Sequence, residues 1–339
     1  MPEDVATTIE TLLVAARGAR ATASLPQCVQ HLREAQAAAS PLPDDHRLVA
    51  VVAWRRAKAA YDLGLTDEML GCLERVLSLD HPFADYPQGL KAAEPLARRW
   101  WDERGYGHPL VARLWEAFVA AWREGGDPWM AASGEAQLAW DWACAGHLVP
   151  LQALLVRRGG QSPREFGNGP SKHPRAPDAP SSLWWAQMDI ARIALRAAVW
   201  AGDEGLAREA HEVYADALAE AEVDESDDYW FLETAGRAER VFGWRGELAE
   251  RWMAAAPGLS HPRAELHQAL ATAVVQGWPG AVAEVLPQAD AAGPEWGIDL
   301  RVVLHTGGED ADGRWLREAR ALAESRGVGV FRRRLQDPG

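Results

Sequence analysis

Residues 60–80 read AYDLGLTDEMLGCLERVLSLD. Apolar residues recur at three- and four-residue steps on both sides of Gly64, the pattern of two short amphipathic helices joined by a tight turn. A glycine at the break supplies the left-handed backbone that ends the first helix. The stretch is either a lone hairpin or one copy of a repeat. The two cases place function differently: an enzyme hides its chemistry in a pocket, whereas a repeat array displays a surface.

The same shape recurs at 139–159, 195–218, 236–258 and 270–295, punctuated by Gly146, Gly202, Gly243 and Gly277. The last three glycines are 41 and 34 residues apart. Seven residues before each break stand Ala57, Ala139, Leu195, Gly236 and Leu270. Four before it stand Ala60, Trp142, Ala198, Glu239 and Ala273, and five after it Met69, Leu151, Ala207, Leu248 and Val282. Two antiparallel helices cross at short range only where such positions are small or interlock. Pro150 and Pro279 fall where a second helix begins and a missing amide proton is harmless. Val-rich alternation is almost absent, VGVF at 328–331 being the exception, so an all-α class is expected.

The best copy, AVVAWRRAKAAYDLGLTDEMLGCLERVLSLDHP at 50–82, resembles a tetratricopeptide repeat. It has an early tryptophan, small residues through its first helix, Leu-Gly at the turn, Asp-Glu opening the second helix and a Leu-Asp-His-Pro exit. The other four copies are degenerate, with Glu239 standing where a small residue is expected. Weaker pairs lie at 7–39, 111–122 and 299–326. The resemblance implies a right-handed α-solenoid of about seven or eight antiparallel helical pairs. The expected organisation is an N-terminal half at 1–158, a Pro/Gly/Ser-rich loop or insertion at 159–182 and a C-terminal half at 183–339. That loop carries Arg164, Lys172 and Arg175 in an otherwise acidic protein.

In this repeat family the first helix of each pair lines a concave face on which partner segments dock. Carried over by position, that face holds Trp54, Lys58 and Tyr61 before Gly64, and Arg192, Arg196 and Trp200 before Gly202. Before Gly243 it holds Trp230, Arg237 and Arg240. Arg192 and Arg196 are four apart and Arg237 and Arg240 three apart, so each pair shares a helix face. Clustered guanidinium groups capture carboxylates in two-pronged fashion, which points to an acidic segment or a C-terminal carboxylate as partner. The alternative is that these arginines pair with Asp189, Glu233 and Glu239 of the same molecule.

Composition narrows the remaining classes. A net charge of −14 argues against nucleic acid as the main partner, because nonspecific binding rests on neutralising phosphates. Basic residues are nearly all arginine, with only Lys58, Lys91 and Lys172, and Asn168 is the sole asparagine, a GC-rich bacterial bias. Cys28, Cys72 and Cys144 form no C-x-x-C pair, so neither a disulfide framework nor a cysteine metal site is expected. No basic leader and no run of about 18 apolar residues occurs, so a cytoplasmic protein with no membrane partner is expected.

Motifs for chemistry are weak. GNGPSK at 167–172 lacks the Gly-Lys-Ser/Thr core of a phosphate loop, and GVGVFR at 327–332 lacks a third glycine. His211 opens HEVYA but Ala215 stands where a second histidine is needed, and His261 and His267 are six apart. The acids at 222–228 and 309–312 lie between helices, where they can cap the following element. The 17 tryptophans suit helix–helix crevices. No cofactor or metal is expected. The leading expectation is a non-enzymatic module binding a partner protein or peptide, as an adaptor or regulatory component. One alternative is a ligand- or peptide-responsive regulator of the same fold. Another is an all-α enzyme with a Trp-lined cavity using Asp224, Glu225, Asp227 and Asp228.

Overall fold

A computed structural model describes residues 2–79, 93–124, 128–159, 184–220, 222–225, 228–308, 310, 312–332 and 334–336. Among them every regular element is helical: seventeen α-helices and one short 3-10 turn. The all-α class is therefore observed. No helix among the described residues is long and apolar enough to cross a membrane. The segment expected as a loop at 159–182 lies outside the described residues except for Gly159, as does the Asp-His-Pro exit at 80–82.

The protein divides into two compact units, residues 1–103 with 108–126, and residues 104–107 with 127–339. The first holds α1 (Pro2–Ala21), α2 (Leu25–Ala39), α3 (Arg47–Asp62), α4 (Thr66–Leu77), α5 (Ala93–Arg104) and α6 (Pro109–Glu124). Within it α1 packs on α2, α2 on α3 and α3 on α4, while α1 also meets α3.

The second unit begins with α7 (Pro128–Ala145), α8 (Leu148–Gly159), α9 (Trp184–Ala201) and α10 (Glu204–Glu220). It continues with α11 (Tyr229–Phe242), α12 (Leu248–Ala255), α13 (Ala264–Val275) and α14 (Gly280–Ala283). It ends with α15 (Leu286–Ala292), α16 (Pro294–Thr306) and α17 (Arg314–Arg326). Helices α7, α9, α11, α13 and α16 pack in series, and each also meets the helix that follows it in sequence.

The hairpin turns share one chemistry. Gly64, Gly146, Gly202, Gly243 and Gly277 all take left-handed φ, between 67° and 78°. After the first four, the next amide donates back to the carbonyl four residues before the glycine. These bonds run from Leu65 to Ala60 (2.9 Å), His147 to Trp142 (2.8 Å), Asp203 to Ala198 (2.9 Å) and Trp244 to Glu239 (3.0 Å). Such a bond closes the last helical turn and reverses the backbone. At these four turns the position four before the glycine is thus both a packing site and the acceptor that ends the helix.

The shared positions are also buried: Ala57, Ala139, Leu195 and Leu270 before the turns, and Met69, Leu151, Ala207 and Val282 after them. Gly236 allows a close crossing, since a Cβ there would lie 2.9 Å from the Ala249 backbone of α12. Glu239, the misfit of the third copy, acts locally. Its Oε2 accepts from the Ala249 amide (2.9 Å) in the first turn of α12, an orphan donor that the residue preceding the helix leaves uncapped.

VGVF forms no strand. Residues 327–336 leave α17 and return to α7, where the Val330 amide donates to the Cys144 carbonyl (3.2 Å). The Tyr106 amide donates to the Arg326 carbonyl (3.1 Å) at the same place. Val328, Val330, Phe331 and Leu335 are buried in the core formed by α7, α9, α10, α11, α16 and α17.

Candidate functional site

In the first unit, Trp54 is buried in α3 at 2% exposure, so its indole faces other helices. Lys58 and Tyr61 are half-buried, with the Lys58 ammonium 5.1 Å from the Tyr61 ring centroid and paired to Asp62. Arg20 also reaches Asp62, at 2.5 Å. Tyr61 opens onto a cleft of about 450 Å³ shared with Thr66, Met69, Arg98, Arg99 and Asp102.

In the second unit the structure gives each of the expected arginines an acid. Arg192 Nη2 lies 2.8 Å from Asp189 Oδ1, with its guanidinium 5.8 Å from the Trp230 ring. Arg196, 8% exposed, donates to Glu233 Oε1 (2.6 Å) and lies near the Trp200 and Trp296 rings at 5.9 and 5.4 Å. Arg237, 3% exposed, makes a two-pronged pair with Asp299 on α16 at 2.7 and 2.8 Å. Arg240 is exposed and pairs with Glu250. Trp200 is buried between Trp140 and Phe331, with ring centroids 5.9 and 5.1 Å away.

Glu233 is the centre of this network. Its second oxygen lies 2.7 Å from His267 Nδ1 on α13. Burial pushes its pKa up, but Arg196, His267 and Arg237 outweigh that and hold it down at about 2. His267 is itself enclosed by rings, with Trp296, Trp230, His261 and Tyr229 at 5.0 to 5.8 Å. Glu295 differs: burial dominates and raises its pKa, although the Tyr106 hydroxyl lies 3.2 Å from Oε2.

The acidic stretches serve as helix starts. Asp228 Oδ1 accepts from the Phe231 amide (2.9 Å) at the head of α11. Asp310 accepts from the Trp315 and Leu316 amides (2.9 and 3.1 Å) at the head of α17. Asp227, one of the acids considered for chemistry, lies outside the described residues. Among the described residues no group of three or more His, Cys, Asp or Glu side chains could hold a metal. The three cysteines are free and buried.

Sequence reading missed two features. Asp299, Glu295 and Trp296 complete the inner network from α16, but they sit in a stretch whose repeat pattern is weak. A cleft of about 700 Å³ also opens at the turn after α11, lined by Arg208, His211, Glu239, Trp244, Arg245 and Arg251 among others. The tryptophan-arginine-glycine run after Gly243 was the available signal. A scan against protein-family models finds no match to this protein, and a search of curated proteins finds no similar one.

Proposed function

We propose that this protein is a tetratricopeptide-like interaction module. In this reading each unit is a right-handed stack of antiparallel helical pairs that binds a partner protein or peptide and performs no chemistry of its own. The observation that carries it is the recurring hairpin: the same left-handed glycine, with the same amide-to-carbonyl closure at the first four turns. Packing between alternate helices in series, α7 to α9 to α11 to α13 to α16, is what stacking of such pairs produces. A stack of this kind presents side chains from successive helices along one face.

Arg196 and Arg237 are buried on Glu233 and Asp299, so a partner meets other groups. The accessible candidates are Lys58 and Tyr61 in the first unit and Arg192, Trp230 and Arg240 in the second. A regulated version of the same function is favoured by one observation: Phe331 packs on Trp200, one of the residues expected on that face.

The test is affinity capture from an extract of the cells that express the protein. Wild type is compared with K58E/Y61A and with R192E/W230A, each first shown to keep the wild-type melting temperature. Selective loss of a captured protein with either variant supports the reading. Identical recovery by all three baits contradicts it.

A further inference from the structure

In the stretch GVGVFRRRLQ, residues 327–332 and 334–336 lie on the second unit much as a bound peptide would. Phe331 is fully buried, with its ring centroid 5.1 Å from that of Trp200. Val328, Val330 and Leu335 are buried beside it. The backbone is held by the Val330–Cys144 bond and by Arg320 Nε, which donates to the Leu335 carbonyl at 2.5 Å. Two glycines allow the close approach: a Cβ on Gly329 would lie 2.3 Å from the Ala145 carbonyl oxygen, and one on Gly146 2.9 Å from Gly329. Burial pushes the pKa of Arg334 down, as does the charge of Arg237, while the charge of Asp299 raises it.

Three features distinguish this segment from an ordinary core element. Its described residues form no helix or strand, so their seating depends on side chains and on a few bonds to neighbours. A cleft of about 510 Å³ flanks it, lined by Tyr106, Ala145, Ala323, Val328, Arg332 and Leu335 among others, so one side of the segment meets solvent. It also carries the only three consecutive basic residues of the sequence, in a protein of net charge −14. Its apolar anchors fit an aromatic seat, with Phe331 against Trp200.

We propose that residues 327–336 are an intramolecular ligand of the second unit. The surface beneath them is then a docking groove for a partner segment of the same chemistry, Val and Phe anchors followed by arginines, and the partner enters by displacing them. This deepens the proposed function and rests on it, because it names the partner class for one face of the module.

Two measurements test it. Native-state hydrogen exchange on the unmodified full-length protein should show amides 328–335 exchanging through a local opening, about tenfold or more faster than amides in α9 and α11. A fluorescein-labelled GVGVFRRRLQ peptide, followed by anisotropy, should bind the full-length F331A variant at least about tenfold more tightly than wild type, and a scrambled peptide should not. Exchange of 328–335 in step with α9 and α11 would overturn the proposal, as would equal binding of both peptides. So would an F331A variant with the wild-type circular dichroism spectrum that binds the peptide no better. If F331A fails to fold, the exchange experiment on wild type decides alone. Neither measurement contains a partner protein, so their failure removes displacement and leaves the capture test of the module untouched.

Discussion

Arg237 and Asp299 stand 62 residues apart in sequence and meet in a two-pronged ion pair, 2.7 and 2.8 Å long, in the interior of the second unit. The pair ties α11 to α16 across the position of α13. Burial disfavours both charges, so the pair's value lies in each cancelling the other's desolvation.

Removing one partner should therefore cost far more than removing both. Arg237→Met leaves Asp299 buried and uncompensated and is expected to destabilise the protein by about 3–5 kcal/mol. The double variant R237M/D299L should recover most of that loss. Urea titration of the three proteins measures both effects, and a double variant as unstable as the single one would refute the pairing argument.

Acid should act on Glu233. Its folded pKa is about 2, below the roughly 4.3 of an unfolded glutamate. The group therefore contributes stability that is fully present above about pH 4.3 and is lost as pH falls from there towards 2. Glu233→Gln should flatten the stability profile in that window. Unfolding titrations between pH 2 and pH 6 would show it, and an unchanged acid limb would assign the transition to other carboxylates.

The turn glycines were legible in the sequence because their chemistry is local. Gly64, Gly202 and Gly243 end a helix through contacts within six residues, so spacing alone revealed them. The inner network was not legible, because nothing in the neighbourhood of Arg237 names Asp299 as its acid. The acids nearer in sequence, Glu233 and Glu239, go instead to Arg196 with His267 and to the head of α12. VGVF alternated as a strand does, yet burial of Val328, Val330 and Phe331 is reached by an irregular segment. Alternation reports which side chains are covered, and not what covers them.

Glycine substitutions should separate conformational need from space. Gly243→Ala meets nothing within 4 Å but forces a left-handed alanine, expected to cost about 1–2 kcal/mol. Gly18→Ala lies inside α1 with open space around it and should be stabilising by about 0.5–1 kcal/mol. Gly236→Ala should be the most damaging, because its Cβ would press on the Ala249 backbone. Thermal melts of the three variants should follow that order.

Glu239→Ala removes the carboxylate that caps α12 and should cost about 0.5–2 kcal/mol. Hydrogen exchange of the Ala249 amide should accelerate in that variant. Unchanged protection would mean that the cap is supplied from elsewhere.

The most direct test of partner binding places a photo-crosslinking phenylalanine analogue at Tyr61 or at Trp230, with Val149, 81% exposed at the start of α8, as the control site. Irradiation in the expressing cells should attach a defined protein to the Tyr61 or Trp230 probe and not to the Val149 probe. Products identical at all three sites would contradict the assignment of Tyr61 and Trp230 to partner-binding surfaces.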